Sequence, residues 1–175
     1  MKNSVSNSAV NHPNFVWSSL LFVILLFSVP FMTNAQSGKA NFSGTWSFNE
    51  SKSDLGDRGR RFGSGDLVAE QDANLLTVER KFTRRNGEES TFARTYSLDG
   101  KETTNSFGRG KSKSTATWSP DGKSLTIVTK MLFNGNERTS TDVWTLKDAN
   151  TLSVASARQG RDGGEIKTTR VYDKK

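Results

Sequence analysis

The chain has 175 residues, a formal net charge of +7, no Cys and a single His, His12. His12 falls inside a leader-like segment, so the domain that follows has neither His nor Cys. That excludes Ser-His-Asp and Cys-His nucleophilic catalysis, disulfides and the common structural zinc sites.

Residues 1–35 read as a cleaved secretory leader. An apolar run from Val16 to Met32 is followed by Thr33-Asn34-Ala35, with small residues where a signal peptidase needs them, so cleavage is expected before Gln36. No Cys follows the run, which rules out lipid attachment at a processed Cys. Removing Lys2 with the leader leaves a charge of 7 − 1 = +6. Residues 36–175 suffice for one domain with a sizeable core. A bacterial periplasm or the cell exterior is the expected location, with no stable membrane insertion once the leader is gone. The basic residues are dispersed over many segments, so no nucleic-acid partner is expected.

From Phe42 onward, period-2 alternation repeats between turn signals, and no segment holds a helical period for long. The first strand is expected over Phe42–Phe48, with Phe42, Gly44, Trp46 and Phe48 on one face. Residues 49–66 read as a flexible Gly- and Arg-rich loop that includes Arg58, Arg60 and Arg61. Strands follow over Leu67–Gln71 and Leu75–Arg84, the latter aligning Leu76, Val78, Arg80 and Phe82. Asn86-Gly87 is a strong hairpin turn. It leads to Ser90–Leu98, with Phe92, Arg94, Tyr96 and Leu98 in phase.

After Asp99-Gly100 come a short polar strand, Thr103–Phe107, and then Lys111–Ser119, which aligns Ser112, Ser114, Ala116 and Trp118. Pro120-Asp121-Gly122-Lys123 is a turn in which Pro fixes φ and Gly accepts a positive one. Ser124–Phe133 has the strongest apolar face, with Leu125, Ile127, Met131 and Phe133. Arg138–Lys147 buries Trp144 and Leu146, and places Asp142 on the same face. Thr151–Gln159 turns Leu152 and Val154 inward. Glu165–Tyr172 aligns Ile166, Thr168, Arg170 and Tyr172.

The pattern is all-β: an antiparallel up-and-down meander of about 8–10 strands. Closure into a barrel is the simplest way for it to hide its edges, with a two-sheet sandwich as the alternative. Arg80 and Arg94 stand on otherwise apolar faces. A buried unpaired charge is costly, so these side chains are expected either to line a polar cavity or to sit at the barrel rim. Asp142 is a candidate internal partner. Trp46, Trp118, Trp144, Phe92, Phe133 and Tyr96 form the core, and Trp144 and Phe133 are candidates to line a pocket. No carboxylate pair, phosphate-cradling Gly motif or metal-ligand spacing stands out. No catalytic residue, metal or cofactor is therefore assigned, and no enzymatic activity is expected.

The two ends of the domain resemble the calycins, and within them the fatty-acid-binding proteins. Phe42-Ser43-Gly44-Thr45-Trp46 is similar to that family's opening segment, Thr169-Arg170-Val171-Tyr172 to its closing one, and Lys111-Ser112-Lys113-Ser114-Thr115 to an internal strand. Gly44-Thr45-Trp46 also resembles the secreted lipocalins. The resemblance implies a lipocalin-like barrel in which Arg170 and Tyr172 grip a ligand carboxylate. It also implies a structural alternative, in which Arg170 packs across Trp46 and, with Gly44, closes the barrel end. Two departures stand out. Asn49–Asp66 is too short and Gly-rich for the family's helix-turn-helix lid, and Trp144 falls near where the family carries a second basic residue. The expected function is an exported carrier of a small, partly apolar, anionic ligand. The competing expectation is a non-catalytic cell-envelope module with a side-chain-filled barrel. A filled interior would count against the carrier.

Overall fold

The computed structural model describes residues 38–56, 65–83, 87–107, 110–133, 135–160 and 163–175, apart from the side chains of Phe82, Thr83, Phe107 and Phe133. The expected leader and the Arg58–Arg61 cluster lie outside these residues. The described elements are ten strands: β1 Gly44–Asp54, β2 Leu67–Gln71, β3 Leu75–Thr83, β4 Glu89–Ser97, β5 Thr103–Phe107, β6 Gly110–Trp118, β7 Ser124–Phe133, β8 Asn136–Asp148, β9 Thr151–Gln159 and β10 Glu165–Lys174. They form one antiparallel sheet in the order β4-β3-β2-β1-β10-β9-β8-β7-β6-β5. The expected all-β meander is what forms, and the pairing of β1 with β10 joins the chain ends into a nearly closed barrel.

Alternation sets the faces, because successive side chains leave a strand on opposite sides. On β7, Leu125, Ile127 and Thr129 are buried inside, while Lys130 is exposed. Trp46, Leu67, Leu76, Leu125, Ile127, Trp144, Leu152, Val154 and Tyr172 make a continuous internal cluster.

One end of the barrel is plugged by the segment just before β1. The Phe42 ring stacks on Trp118 at 5.8 Å and meets Trp144 edge-on at 5.7 Å. The Gln71 side chain holds this segment by accepting from the Phe42 N–H at 3.0 Å and donating to the Ala40 carbonyl at 3.0 Å. The Ala40 N–H in turn donates to the Gly122 carbonyl at 2.8 Å. Gly122 has φ +69°, and a Cβ there would lie 3.0 Å from the Gly38 carbonyl oxygen, so the turn needs Gly for both conformation and room.

The first strand is longer than its alternation indicates. The expected loop at 49–66 gives way to strand as far as Asp54, because Asn49 and Asp54 pair with Val171 and Thr169 of β10 across a register shift. Polar side chains support the shift. The Val171 N–H donates to Ser53 Oγ at 2.9 Å, Ser53 Oγ donates to the Asn49 carbonyl at 2.6 Å, and Lys52 pairs with Asp173 at 2.8 Å. An irregular, solvent-facing edge of this kind carries no hydrophobic period.

The barrel has a seam. β4 and β5 are the two ends of the sheet order, and they meet through a side chain. The Asn105 amide of β5 accepts from the Thr95 N–H at 2.8 Å and donates to the Thr95 carbonyl at 2.9 Å. The buried carboxamide thus stands in for a peptide group, supplying the donor and acceptor that a neighbouring strand would offer.

Candidate functional site

Away from the plug, the inner surface changes character. Arg80 on β3, Arg94 on β4, Arg158 on β9 and Arg170 on β10 alternate in phase with buried residues of their strands, so all four face inward. Tyr96, Tyr172 and Asp142 stand on the same inner surface. Arg80 Nη1 donates to the Tyr172 hydroxyl at 3.1 Å, joining β3 to β10 across the interior. Arg170 Nη1 donates to Thr168 Oγ1 at 3.2 Å. Ser156 Oγ donates to Asp142 Oδ1 at 2.5 Å. Arg94 lies over the Phe92 ring, 5.3 Å from its centroid.

These groups share one electrostatic environment. Burial pulls the Arg170 guanidinium below its ordinary range, and the neighbouring Arg80 charge pulls the same way, while Tyr172 and Asp142 oppose them. Burial likewise lowers Arg158, and the Arg170 charge adds to that, with Asp142 in opposition. Burial also acts to lower Arg80, but Tyr172, Asp142 and Tyr96 outweigh it and hold this guanidinium above its usual range. Burial raises the Tyr96 phenol, which is neutral at ordinary pH. Arg80, Arg158 and Arg170 remain cationic at neutral pH. Asp142 is an inward-facing carboxylate on β8, and Arg138, opposite Met131, keeps the same phase on that strand.

Arg170 is 8% exposed, and its buried Nε–H meets no hydrogen-bond acceptor among the described residues. Arg80, Arg94, Asp142, Ser156 and Arg158 are only half-buried although they face inward, as are the apolar Phe92, Met131 and Ile166. Solvent therefore reaches this part of the inner surface. Where β6 meets β7 the inner surface is instead sealed around Ser114 Oγ and Thr129 Oγ1, which bond at 2.9 Å.

The sequence-based candidates divide into two groups. Arg80, Arg94, Arg170 and Tyr172 come together in the interior. Trp144 is also internal, but it packs against Phe42 at the plug rather than beside the arginines. Phe133 ends β7, and its side chain is outside the described residues. Gly44 and Trp46 lie on β1, the strand that pairs with β10. Gly44 has φ +148°, and a Cβ there would lie 3.0 Å from Lys174 Cε. Trp46 Nε1 donates to the Phe42 carbonyl at 3.0 Å.

The expectation that Arg170 packs across Trp46 is corrected. The cation over the Trp46 ring is Lys174, 5.5 Å from the centroid, because Trp46 pairs in register with Lys174. Arg170 lies four residues away along β10, opposite Val154. Arg158 was not singled out from the sequence, although it keeps phase with Leu152, Val154 and Ser156.

Two concavities lie at the β8–β9–β10 end. One, of about 330 Å³, is lined by Thr139, Thr141, Ala157, Arg158, Gln159, Gly163 and Glu165. The other, of about 240 Å³, is lined by Asn136, Glu137, Arg138, Gln159, Gly160 and Gly163. Thr139, Thr141, Ala157 and Gln159 alternate with the inward residues, so these hollows belong to the outer face and the rim.

Among the described residues no cluster of His, Cys, Asp and Glu could hold a metal ion, and no helix is long and apolar enough to cross a membrane. No protein-family model matches the chain, and no curated protein does. Solved structures do. The fluorescent protein UnaG is similar at 19% identity, over 77% of this chain and 97% of that one, with a TM-score of 0.50. A point mutant of the same protein is similar at 20% identity, over 77% and 96%, with a TM-score of 0.51. A secretary abundant heat soluble protein from Ramazzottius varieornatus is similar at 11% identity, over 77% and 95%, with a TM-score of 0.53. At these identities the likeness is one of fold alone, an antiparallel β-barrel.

Proposed function

We propose that this protein is an exported, non-enzymatic, lipocalin-like carrier whose barrel takes a small, partly apolar anion. The observation that carries this reading is Arg170: it faces inward, is 8% exposed, and keeps a buried N–H without an acceptor among the described residues. A buried guanidinium N–H that lacks an acceptor is costly, and an entering carboxylate relieves that cost. Arg170 and Tyr172 share a face at period 2, so a guanidinium fork and a phenol can converge on one carboxylate. Half-buried Phe92, Met131 and Ile166 offer the same ligand an apolar flank. Export rests on the leader alone.

A second reading has its own observation. The apolar half of the barrel is packed with side chains, and the two hollows given above lie on the outer face and rim. On that reading the protein is a cell-envelope interaction module with a filled barrel.

Calorimetric titration with apolar carboxylates separates the two. The carrier predicts binding that weakens in Arg170→Gln without a fall in melting temperature. Tyr172→Phe removes one hydroxyl and keeps the ring, and should lower affinity by about 1.5–3 kcal/mol, the usual worth of a hydrogen bond to a charged group. If no apolar carboxylate binds the wild type, the envelope-module reading takes over.

A further inference from the structure

We propose that the ligand joins an acid to a hydrogen-bond donor a few bonds away, the acid held by Arg170 and the donor by Asp142. This rests on the reading that the interior takes an anion, and it names the ligand class and a second residue that selects it. Asp142 is the group that a simple carboxylate ligand leaves unexplained. A carboxylate on the wall that receives another carboxylate works against binding, because like charges repel most where water is scarce. Its place there calls for a partner other than the acid.

Register brings the two anchors to one level. Ile127, Asp142, Ser156 and Thr168 follow one another across β7, β8, β9 and β10. Ser156 Oγ donates to Asp142 Oδ1 at 2.5 Å, which fixes the carboxylate at one end of the polar part of this row. At the other end Thr168 Oγ1 accepts from Arg170 Nη1 at 3.2 Å, which draws the guanidinium toward the row. Thr168 and Arg170 are buried, whereas Asp142 is half-buried, so the arginine end is the drier one.

The bonding capacity left at the two ends is complementary. The Arg170 Nε–H is buried and meets no acceptor among the described residues. A carboxylate has two oxygens with about four lone pairs, so one serine hydroxyl leaves Asp142 able to accept again. One end offers a charged donor and the other a charged acceptor. Arg138 and Arg158 stand in phase near Asp142, but each has contacts of its own, so neither is asked to hold the ligand.

The span sets the spacing of the two ligand groups. The Thr168 and Asp142 backbones are two strand spacings apart, about 9.6 Å. Charge-assisted bonds of about 2.5–2.9 Å at each end leave roughly 4 Å between the acid and the donor. A hydroxyl or ammonium on the second carbon from the carboxyl carbon covers that distance, and one at the far end of a long chain does not. The apolar remainder of the ligand lies against half-buried Phe92, Met131 and Ile166.

Calorimetry on the leader-free protein compares dodecanoate, 3-hydroxydodecanoate and 12-hydroxydodecanoate. 3-Hydroxydodecanoate is expected to bind at least about tenfold tighter than either of the others, the worth of one hydrogen bond to a charged group. In Asp142→Asn that preference should fall below about threefold, while dodecanoate itself binds about twofold tighter or more, because its acid loses a like-charged neighbour. Ser156→Ala frees the carboxylate from its anchor and should also reduce the preference, and it carries the test if melting curves show that Asp142→Asn does not fold. Equal affinity for dodecanoate and 3-hydroxydodecanoate overturns the inference while leaving the carrier function intact. So does a preference that 12-hydroxydodecanoate shares, or one that persists in Asp142→Asn. Equal weakening of all three probes in Asp142→Asn makes Asp142 a structural residue and overturns the inference as well. Binding of none of the three to the wild type overturns the carrier reading, and this inference with it.

Discussion

The two halves of the barrel interior are built on opposite terms. Around the plug, Phe42, Trp46, Leu76, Leu125, Trp144 and Leu152 are each at most 2% exposed, and every ring has a packed partner or a hydrogen bond. Around Arg170, several arginines share the inner surface with Asp142, and solvent reaches the wall. Burial of large apolar side chains is the main favourable term in folding, at roughly 25 cal/mol per Å² of apolar surface. The first half supplies that term. The second half works against it, since dehydrating charges costs stability unless each is paired. The contrast sets a region that holds the fold against one whose buried charges cost stability.

The largest test of this contrast falls on the plugged half. Trp46→Ala should destabilise the protein by about 3–5 kcal/mol, as large-to-small changes of core aromatics do. Trp46 is 0% exposed and also bonds the Phe42 carbonyl, so its loss loosens the plug as well as the core. Urea unfolding measures it. A loss below about 1 kcal/mol, typical of surface sites, would remove the plugged half from its stabilising role.

The seam comes next. Asn105→Ala strips the Thr95 N–H and carbonyl of both partners at once, and a buried polar group left unsatisfied costs about 1–3 kcal/mol. Amide exchange at Thr95 should accelerate well beyond that of its neighbours on β3. Exchange that speeds uniformly across the sheet would mean that Asn105 acts through global stability and not as a local clip.

The cationic half should respond in the other direction. In the ligand-free protein, Arg170→Gln should raise stability by about 0.5–2 kcal/mol, the range seen when a site built for function is relieved of its strain. The gain comes from lifting repulsion with Arg80 and ending the dehydration of an Nε–H that lacks an acceptor among the described residues. A marked destabilisation would show that Arg170 holds the barrel together, and the two halves would then differ less than their composition indicates.

The smallest effect is on pH dependence. The Lys175 ammonium, bonded at 2.6 Å, is the chief cause that holds the Asp66 carboxyl below its ordinary range. The Phe48 N–H and Ser47 hydroxyl reinforce it. A carboxyl whose pKa falls on folding stabilises the folded state above its unfolded pKa of about 3.9, and that contribution fades as pH drops through the lower folded value. The melting temperature should therefore hold from neutrality to about pH 5 and decline below about 4, with a shallower decline in Asp66→Asn. Asp66 is exposed enough for solvent to screen much of this, so the effect is modest. An identical acid profile in Asp66→Asn would assign the decline to other carboxyls.

Much of the fold was legible because alternation and turn chemistry are local. Asn86-Gly87, Asp99-Gly100 and Pro120-Asp121-Gly122 mark strand ends by backbone preference alone, and inward residues such as Leu125 and Ile127 follow from period 2. Register is not local. Whether Trp46 meets Lys174 or Arg170 depends on how far β10 slides along β1, and both cations keep the same phase. The polar stretch from Asn49 to Asp54 reads as loop because its pairing is stabilised by Ser53 and by backbone groups, which leave no hydrophobic trace. Arg80 and Arg94 declared themselves by interrupting apolar faces. Arg158 did not, because its strand is short of bulky side chains, although its phase with Val154 was available. Asn105 gave no signal in a short polar strand, since what it replaces is a backbone.

The Asn105 clip has one further consequence. A sheet that ends in open strands offers each as a template on which another chain can polymerise. Here β4 and β5 present their vacant backbone groups toward each other, and one carboxamide at 2.8 and 2.9 Å stands in the gap. The two hazards of self-association are thereby turned on one another. An opening that begins at Thr95 uncovers both edges in a single event, so the earliest partly unfolded form of this barrel is also the form best able to recruit a second copy of itself.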